Sequence, residues 1–300
     1  IGIVLTLAAG FASRGVSYAC AAVLFGDTAA EGLSCLFLFF SLRLDREKIK
    51  TIGNRALPHG FRKIFHIALP ITSGRYLNSG LRTAENLMVP RALTAFGGAA
   101  NSLSLFGMIK GMALPILFFP SSFLNSVSTL LIPEMSEAVA KNQKGLVKRA
   151  VRNILRLTAV IGFIFGSLFF FLGEEFGILF YNDREVGHLI KALAPIVPLM
   201  YLDSISDGIL KGLDQQNFTF RTAVSDSTIR IILILLVLPF FGMKGFIGIM
   251  YFSNALTCFL NVGRLIKVSG ATFRTTEEII LPLLLSVSLP LVIKNIIILL

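Results

Sequence analysis

The sequence has few charged residues and no tryptophan. Asp, Glu, Lys and Arg make up 15% of its 300 residues, whereas soluble domains carry about 25%. Hydrophobic residues make up 54%, and the mean hydropathy is +0.77. Such a chain is too apolar to be disordered and has too little charge for an ordinary soluble surface. The composition therefore argues against a soluble enzyme and predicts a polytopic membrane protein.

Cysteine is scarce, and the motifs of common enzyme and metal sites are missing. Cys20, Cys35 and Cys258 show no CxxC spacing, which argues against a zinc site or a disulfide framework. The sequence contains no GxxxxGK[ST], HExxH or GxSxG motif, and its three histidines are scattered. We therefore expect no enzymatic activity, no cofactor and no bound metal.

Nine apolar segments are candidates for membrane spans, which need about 20 mostly apolar residues. The first segment, 1–12, resembles the end of a longer span. The other eight are 16–41, 64–90, 101–133, 154–173, 188–211, 223–241, 245–266 and 278–300. The expected fold is an all-α bundle of transmembrane helices.

Basic residues accumulate in alternate loops between these segments. The basic loops are 43–63, 134–156, 211–221 and 264–274. The intervening loops hold only Arg14, Arg91, Arg184 and Lys244. Because cytoplasmic loops are enriched in Lys and Arg, the four basic loops are predicted to be cytoplasmic. The net charge of +11 is thereby explained by membrane topology, and nucleic acid is not an expected partner.

The segment 64–90 carries a polar stripe. On a helical wheel its polar residues share an arc of about 120°. They are Arg75, Asn78, Ser79, Arg82, Glu85 and Asn86. A charge at the bilayer centre costs at least about 2.5–3.5 kcal/mol, so the stripe should face a water-filled cavity or the bundle interior. An Arg82–Glu85 pair that only ties helices together is the alternative, but it leaves Arg75 unpaired within this helix. We favour a cavity face that attracts anions.

Lys110 is a further intramembrane cation. It lies in an otherwise uncharged segment, with Ser121, Asn125 and Ser128 near it on the wheel. We predict that Lys110 and Asn125 line the same cavity as the polar stripe. A salt bridge from Lys110 to Glu85 is compatible with this prediction.

Several carboxylates lie near predicted cytoplasmic helix ends. Asp203 and Asp207 could carry a coupling ion, H⁺ or Na⁺, as carboxylates in transporter spans do. The alternative is helix-end pairing with bases four residues away, namely Asp207–Lys211 and Asp226–Arg230. We favour the pairing.

A basic stripe precedes the segment 154–173. Its members are Lys141, Lys144, Lys148, Arg149, Arg152 and Arg156. The stripe is amphipathic and continues into an apolar span, so its predicted partner is the anionic lipid of the cytoplasmic leaflet.

Several of these runs resemble one protein family. The run from Leu69 to Thr72, followed by RTAENLMVPR at 82–91, resembles the stage V sporulation protein B-like branch of the polysaccharide-exporter family. The runs at 107–121, 131–138 (LIPEMSEA) and 208–213 fit the same branch. That branch belongs to the MOP flippase superfamily, together with the MATE drug/cation antiporters and the lipid II flippases.

The resemblance implies a fold of two six-helix lobes around a central cavity. By that pattern, 1–42 would be the last two helices of the N-lobe and 43–63 the cytoplasmic linker between lobes. Residues 64–268 would form the C-lobe, and 269–300 an additional helix. About four N-terminal helices and one final helix of the family pattern would be absent from this sequence.

The resemblance also implies a function, with three hypotheses open. The first is a flippase that moves a lipid-linked oligosaccharide or cell-wall precursor across the bacterial cytoplasmic membrane by alternating access. In that hypothesis Arg75, Arg82 and Lys110 attract the pyrophosphate, while Asn78, Glu85, Asn86 and Asn125 orient them or contact sugar. The second is a cation-coupled multidrug antiporter of the same fold. The third is a non-transporting scaffold for cell-wall or spore-envelope assembly.

Overall fold

The computed structural model describes residues 16–49, 60–95 and 99–271. These residues are almost entirely helical, and no strand occurs in the described ranges. The helices are α1 (Val16–Ile49), α2 (Gly60–Ala95), α3 (Ala99–Met108), α4 (Leu114–Ala140), α5 (Lys144–Phe171), α6 (Gly173–Tyr181), α7 (Arg184–Leu193), α8 (Val197–Gly212) and α9 (Gln216–Ser269). A π-helical turn, Ile109–Ala113, joins α3 to α4, and a 3₁₀ turn, Ala194–Ile196, joins α7 to α8. The predicted all-α class is confirmed.

Five of the helical stretches in the described ranges are long and apolar enough to cross a membrane. They are Ala21–Leu44, Leu103–Ala140, Lys144–Phe171, Arg184–Gly212 and Gln216–Ser269. Helix α2, which contains the predicted span 64–90, is not among them, since its polar stripe lowers its hydropathy. The predicted spans 1–12 and 278–300 lie outside the described residues. The chain is a multi-pass membrane protein, and the count of nine spans stays a prediction.

The contacts divide the chain into two units, Ile1–Ala68 and Leu69–Leu300. In the first unit, α1 is a long apolar helix whose large side chains are mostly exposed, such as Phe25 at 71% and Phe37 at 72%. Exposed apolar side chains along a helix of this length suit a lipid environment.

In the second unit, α8 lies at the centre of the helix packing. It contacts α4, α5 and α9, and its buried side chains include Tyr201 and Ile205. The Tyr201 hydroxyl donates a hydrogen bond to the Leu117 carbonyl oxygen on α4, at 2.7 Å. The α5 contact is equally close, because a Cβ atom at Gly162 would lie 2.9 Å from the Pro198 Cα atom. A central helix with polar and small-residue contacts is typical of membrane bundles.

Small residues bring α8 against α4. A Cβ atom at Gly208 would lie 2.3 Å from the Ser128 Oγ atom, and Ser136 Oγ donates a hydrogen bond to the Gly212 carbonyl oxygen at 2.9 Å. The pair Gly208 and Gly212 thus uses its small-xxx-small spacing in helix packing.

Helix α9 consists of two arms that meet at Gly242. Gly242 has φ 54° and ψ −136°, a backbone conformation that breaks the helix and that only glycine adopts readily. We call 216–241 the first arm and 243–269 the second arm. The two predicted spans 223–241 and 245–266 fall on separate arms, so the break lies where the sequence predicted a turn.

Candidate functional site

Glu85 is the buried member of the polar stripe on α2. Its side chain faces the bundle, and the residue is 5% exposed. Its Oε1 atom lies 3.4 Å from Arg230 Nη1 on the first arm of α9 and 4.0 Å from Lys110 Nζ. The Lys110–Glu85 contact matches the salt bridge considered from the sequence. The Arg230 contact was not predicted.

Arg230 joins two buried carboxylates. Besides Glu85, its guanidinium pairs with Asp226, which is four residues earlier on the same helical arm. Asp226 is itself buried, and its Oδ1 atom accepts a hydrogen bond from Ser253 Oγ on the second arm at 2.5 Å. Burial without pairing would be very unfavourable for each of these groups. We call Glu85, Lys110, Asp226, Arg230 and Ser253 the charged network.

Lys110 lies in the π-helical turn, Ile109–Ala113. A π turn is a local widening of the helix that often occurs at functional positions. The Lys110 ammonium lies 6.0 Å from the centroid of the Phe106 ring and is 38% exposed. Lys110 is therefore held between an aromatic ring and Glu85 while part of its side chain remains open to a ligand.

The charges of this region sum to a positive value. Glu85 and Asp226 are the two acids, and Lys110 and Arg230 balance them. Arg82 is exposed, has no ion pair within the described residues, and acts electrostatically on Lys110. The alternative considered from the sequence, an Arg82–Glu85 pair, is not formed, because Glu85 contacts Lys110 and Arg230 instead. Arg82 is therefore an uncompensated cation among the described residues.

Among the described residues, Asn78 and Asn86 of the stripe form no ion pair or hydrogen bond with the charged network. Asn78 is half-buried and Asn86 is exposed. Arg75 lies on α2, but its side chain is outside the described residues. The roles given to these three residues stay predictions.

A second set of polar contacts joins α8 to α4 and to the second arm of α9. Asn261 Nδ2 on the second arm of α9 donates a hydrogen bond to Asp203 Oδ1 at 2.8 Å. The neighbouring Ser204 Oγ donates to Asn125 Oδ1 on α4 at 2.7 Å. We call Asn125, Asp203, Ser204 and Asn261 the amide cluster. The structure thus places Asn125 against Ser204, the residue after Asp203, and not among the charged network's contacts.

Asp207, the remaining predicted carboxylate, and Lys141 of the basic stripe each form a local ion pair. Asp207 Oδ2 lies 2.5 Å from Lys211 Nζ, and Lys141 Nζ lies 2.5 Å from Glu137 Oε1. The Asp207–Lys211 and Asp226–Arg230 pairs were both expected from their i,i+4 spacing. Lys144 is exposed at the start of α5, while Lys148 and Arg152 are half-buried farther along it. In the described ranges, no group of three or more His, Cys, Asp or Glu side chains is arranged to hold a metal ion.

Part of the chain is similar to known proteins. Residues 90–236 match the MatE family model. The chain is 23% identical to Stage V sporulation protein B of Bacillus subtilis (strain 168), over 89% of this chain and 53% of that protein. It is 25% identical to Sporulation protein YkvU of the same organism, over 45% of this chain and 30% of that protein. The chain spans about half the length of the first relative. No solved structure matches it.

Proposed function

We propose that this chain, whose residues 90–236 match the MatE family model, forms part of a flippase for an anionic lipid-linked oligosaccharide or cell-wall precursor. The proposal rests chiefly on one observation, the excess positive charge around Glu85. Arg82 has no ion pair in the described ranges, and Lys110 is only partly covered. A cationic cavity within a membrane bundle favours an anionic substrate such as a pyrophosphate.

The ion pairs of the basic residues support different proposed roles for them. Arg230 lies between Glu85 and Asp226, so it is a positioning residue and has little capacity for a further anion. Arg82 and Lys110 are the proposed substrate-binding cations, together with Arg75, which the helical wheel of the sequence places on the same arc as Arg82. Asn78 and Asn86 are the proposed contacts to sugar hydroxyls, because amides both donate and accept hydrogen bonds.

The lobes of such a flippase alternate between inward-open and outward-open states, a cycle that a coupling ion can drive. Of the two predicted ion carriers, Asp207 is paired with Lys211, whereas Asp203 contacts the Asn261 amide. We therefore propose Asp203 as the carrier of H⁺ or Na⁺. The proposed location is the bacterial cytoplasmic membrane, with Lys141, Lys144, Lys148 and Arg152 on the anionic cytoplasmic leaflet.

The experiment is a transbilayer assay with the full-length protein in proteoliposomes. A labelled undecaprenyl-pyrophosphate sugar is followed from one leaflet to the other, with the unchanged protein and with Arg82→Glu. Arg184→Glu is the matched control, since Arg184 is an exposed arginine of α7 outside the site. We expect movement with the unchanged protein and with the control, and its loss with Arg82→Glu. Equal transport by both variants would contradict the proposed cationic cavity.

A cation-coupled multidrug antiporter is the second candidate. The amide cluster favours it, because Asp203 is a carboxylate in a membrane helix that contacts an amide and has no ion pair in the described residues. Ion-driven efflux of an organic cation, without movement of the lipid-linked sugar, would establish this alternative. A protein silent in both assays, with normal envelope assembly after Arg82→Glu, would instead support a scaffold.

A further inference from the structure

A cavity lies where α8 passes into α9, apart from the charged network and the amide cluster. It has a volume of about 470 Å³. Its walls are Asp214, Gln215, Asn217, Phe218, Arg221 and Arg264. The first five residues come from the turn after α8 and the start of α9, and Arg264 comes from the last turns of the second arm. The cavity is thus built by two pieces of chain, the stretch 214–221 and the last turns of the second arm.

Arg264 is held in place at this cavity. Its Nε and Nη2 atoms both donate to Gln215 Oε1, at 3.0 Å and 2.6 Å. Its guanidinium carbon lies 5.3 Å from the centroid of the Phe218 ring. An amide oxygen on one edge and an aromatic ring against it fix the plane of the guanidinium. Gln215 is neutral, so the positive charge of Arg264 is held without being neutralised.

Arg221 adds a second cation to the same wall. It is exposed, and neither Arg221 nor Arg264 has an ion pair in the described part of the chain. Asp214 is the acid of the cavity, so its lining carries two cations against one anion. Guanidinium groups bind phosphate oxygens through paired, charge-assisted hydrogen bonds.

We propose that this cavity binds a phosphate group, with Arg264 as the fixed contact and Arg221 as the adjustable one. The group belongs to an anionic lipid headgroup or to a free phosphate anion, which share this chemistry. The site is separate from the proposed substrate cavity. It also differs from the basic stripe of α5, because its main cation is immobilised by Gln215 and Phe218.

The test uses the full-length protein in nanodiscs that contain phosphatidylcholine and phosphatidylglycerol. Native mass spectrometry counts the phosphatidylglycerol molecules retained on the protein, and a parallel titration measures binding of inorganic phosphate. The variants are Arg264→Gln and Arg221→Gln. Lys267→Gln is the matched control, since Lys267 is an exposed base on the same arm, three residues after Arg264, and does not line the cavity.

We expect Arg264→Gln to weaken retention about tenfold, the effect of losing a charge-assisted contact, and Arg221→Gln to weaken it less. Asp214→Asn should strengthen retention. Lipid retention that phosphate does not displace would identify a headgroup, and saturable phosphate binding lost in Arg264→Gln would identify the free anion. Equal weakening by Arg264→Gln and Lys267→Gln would overturn the proposal, since only general charge would then act. Arg221→Gln keeps the test valid if Arg264→Gln misfolds, because Arg221 is exposed.

Discussion

The charged network and the amide cluster are two polar regions of one apolar bundle. Both hold carboxylates within the bundle, but different groups stabilise those carboxylates. In the charged network, the buried Glu85 and Asp226 share one guanidinium from Arg230. In the amide cluster, Asp203 receives a hydrogen bond from the neutral Asn261, and no base pairs with it in the described residues. Both regions bring together α9 with other helices, so both contribute to helix association.

The different partners of these carboxylates indicate which of them can change its charge during function. A proton or Na⁺ that approached Glu85 or Asp226 would meet a guanidinium already in place. At Asp203 the same ion would meet a carboxylate that has no ion pair with a base in the described part of the chain. Local charge balance therefore supports a mainly structural role for Glu85 and Asp226, and it supports the proposed ion exchange at Asp203. Four variants test this distinction.

Replacement of Arg230 should have the largest effect. Arg230→Leu leaves Asp226 buried without its cation and leaves Glu85 with only the longer contact to Lys110, at 4.0 Å. We expect the free energy of unfolding to fall by about 3–5 kcal/mol. Denaturant unfolding in detergent measures it. Lys244→Leu is the control, because it removes an exposed base of the same helix. A similar loss from both variants would show that Arg230 carries no special stabilisation.

Neutral amides in place of Glu85 and Asp226 should restore part of the stability that Arg230→Leu removes. With Glu85→Gln and Asp226→Asn added to Arg230→Leu, we expect a recovery of about 2 kcal/mol, since no uncompensated buried charge remains. The same unfolding measurement on the triple variant checks this. If the triple variant is even less stable than Arg230→Leu alone, packing and not charge balance holds this region together.

Replacement of Asp203 should affect ion coupling more than stability. Asp203→Asn keeps an oxygen that can accept from Asn261, so the stability loss should stay within about 1 kcal/mol. We expect transport by this variant to lose its dependence on an imposed H⁺ or Na⁺ gradient. Asp207→Asn serves as the comparison, because Asp207 is paired with Lys211. Retained ion dependence in Asp203→Asn would remove Asp203 as the carrier.

The smallest effect is expected at Ser204. Ser204→Ala removes its hydrogen bond to Asn125, which is 2.7 Å long. Single hydrogen bonds between membrane helices contribute about 0.6 kcal/mol on average, so unfolding should change by about that amount. A loss as large as that of Arg230→Leu would mean that the amide cluster is as essential to the fold as the charged network.

The sequence predicted those features that depend on local pattern. The apolar segments 154–173 and 223–241 are helical, and the i,i+4 pairs Asp207–Lys211 and Asp226–Arg230 form as their spacing indicated. Glu85 of the polar stripe is buried, and the bundle interior is one of the two environments that the sequence predicted for the stripe. Period and spacing suffice for such features because the helix itself brings the residues together.

The sequence did not predict the contacts between distant segments. Arg230 and Glu85 are 145 residues apart, and no local pattern links them. The charge of Arg230 inside an apolar segment was the available signal that it needed a partner. The π turn around Lys110 was missed as well, because the widening of one turn has no distinct residue pattern. The cavity at Arg264 depends on the return of the second arm towards the start of α9, which hydropathy alone does not show.

The break at Gly242 has a consequence for how the chain is inserted during synthesis. A continuous α9 of 54 residues would be about 80 Å long, more than twice the thickness of the hydrocarbon core. With the break, the two arms can enter the membrane together as a helical hairpin, and Ser253 already meets Asp226 across it. We therefore expect the backbone break at this one glycine to let the second arm return to the side of the membrane on which the first arm begins.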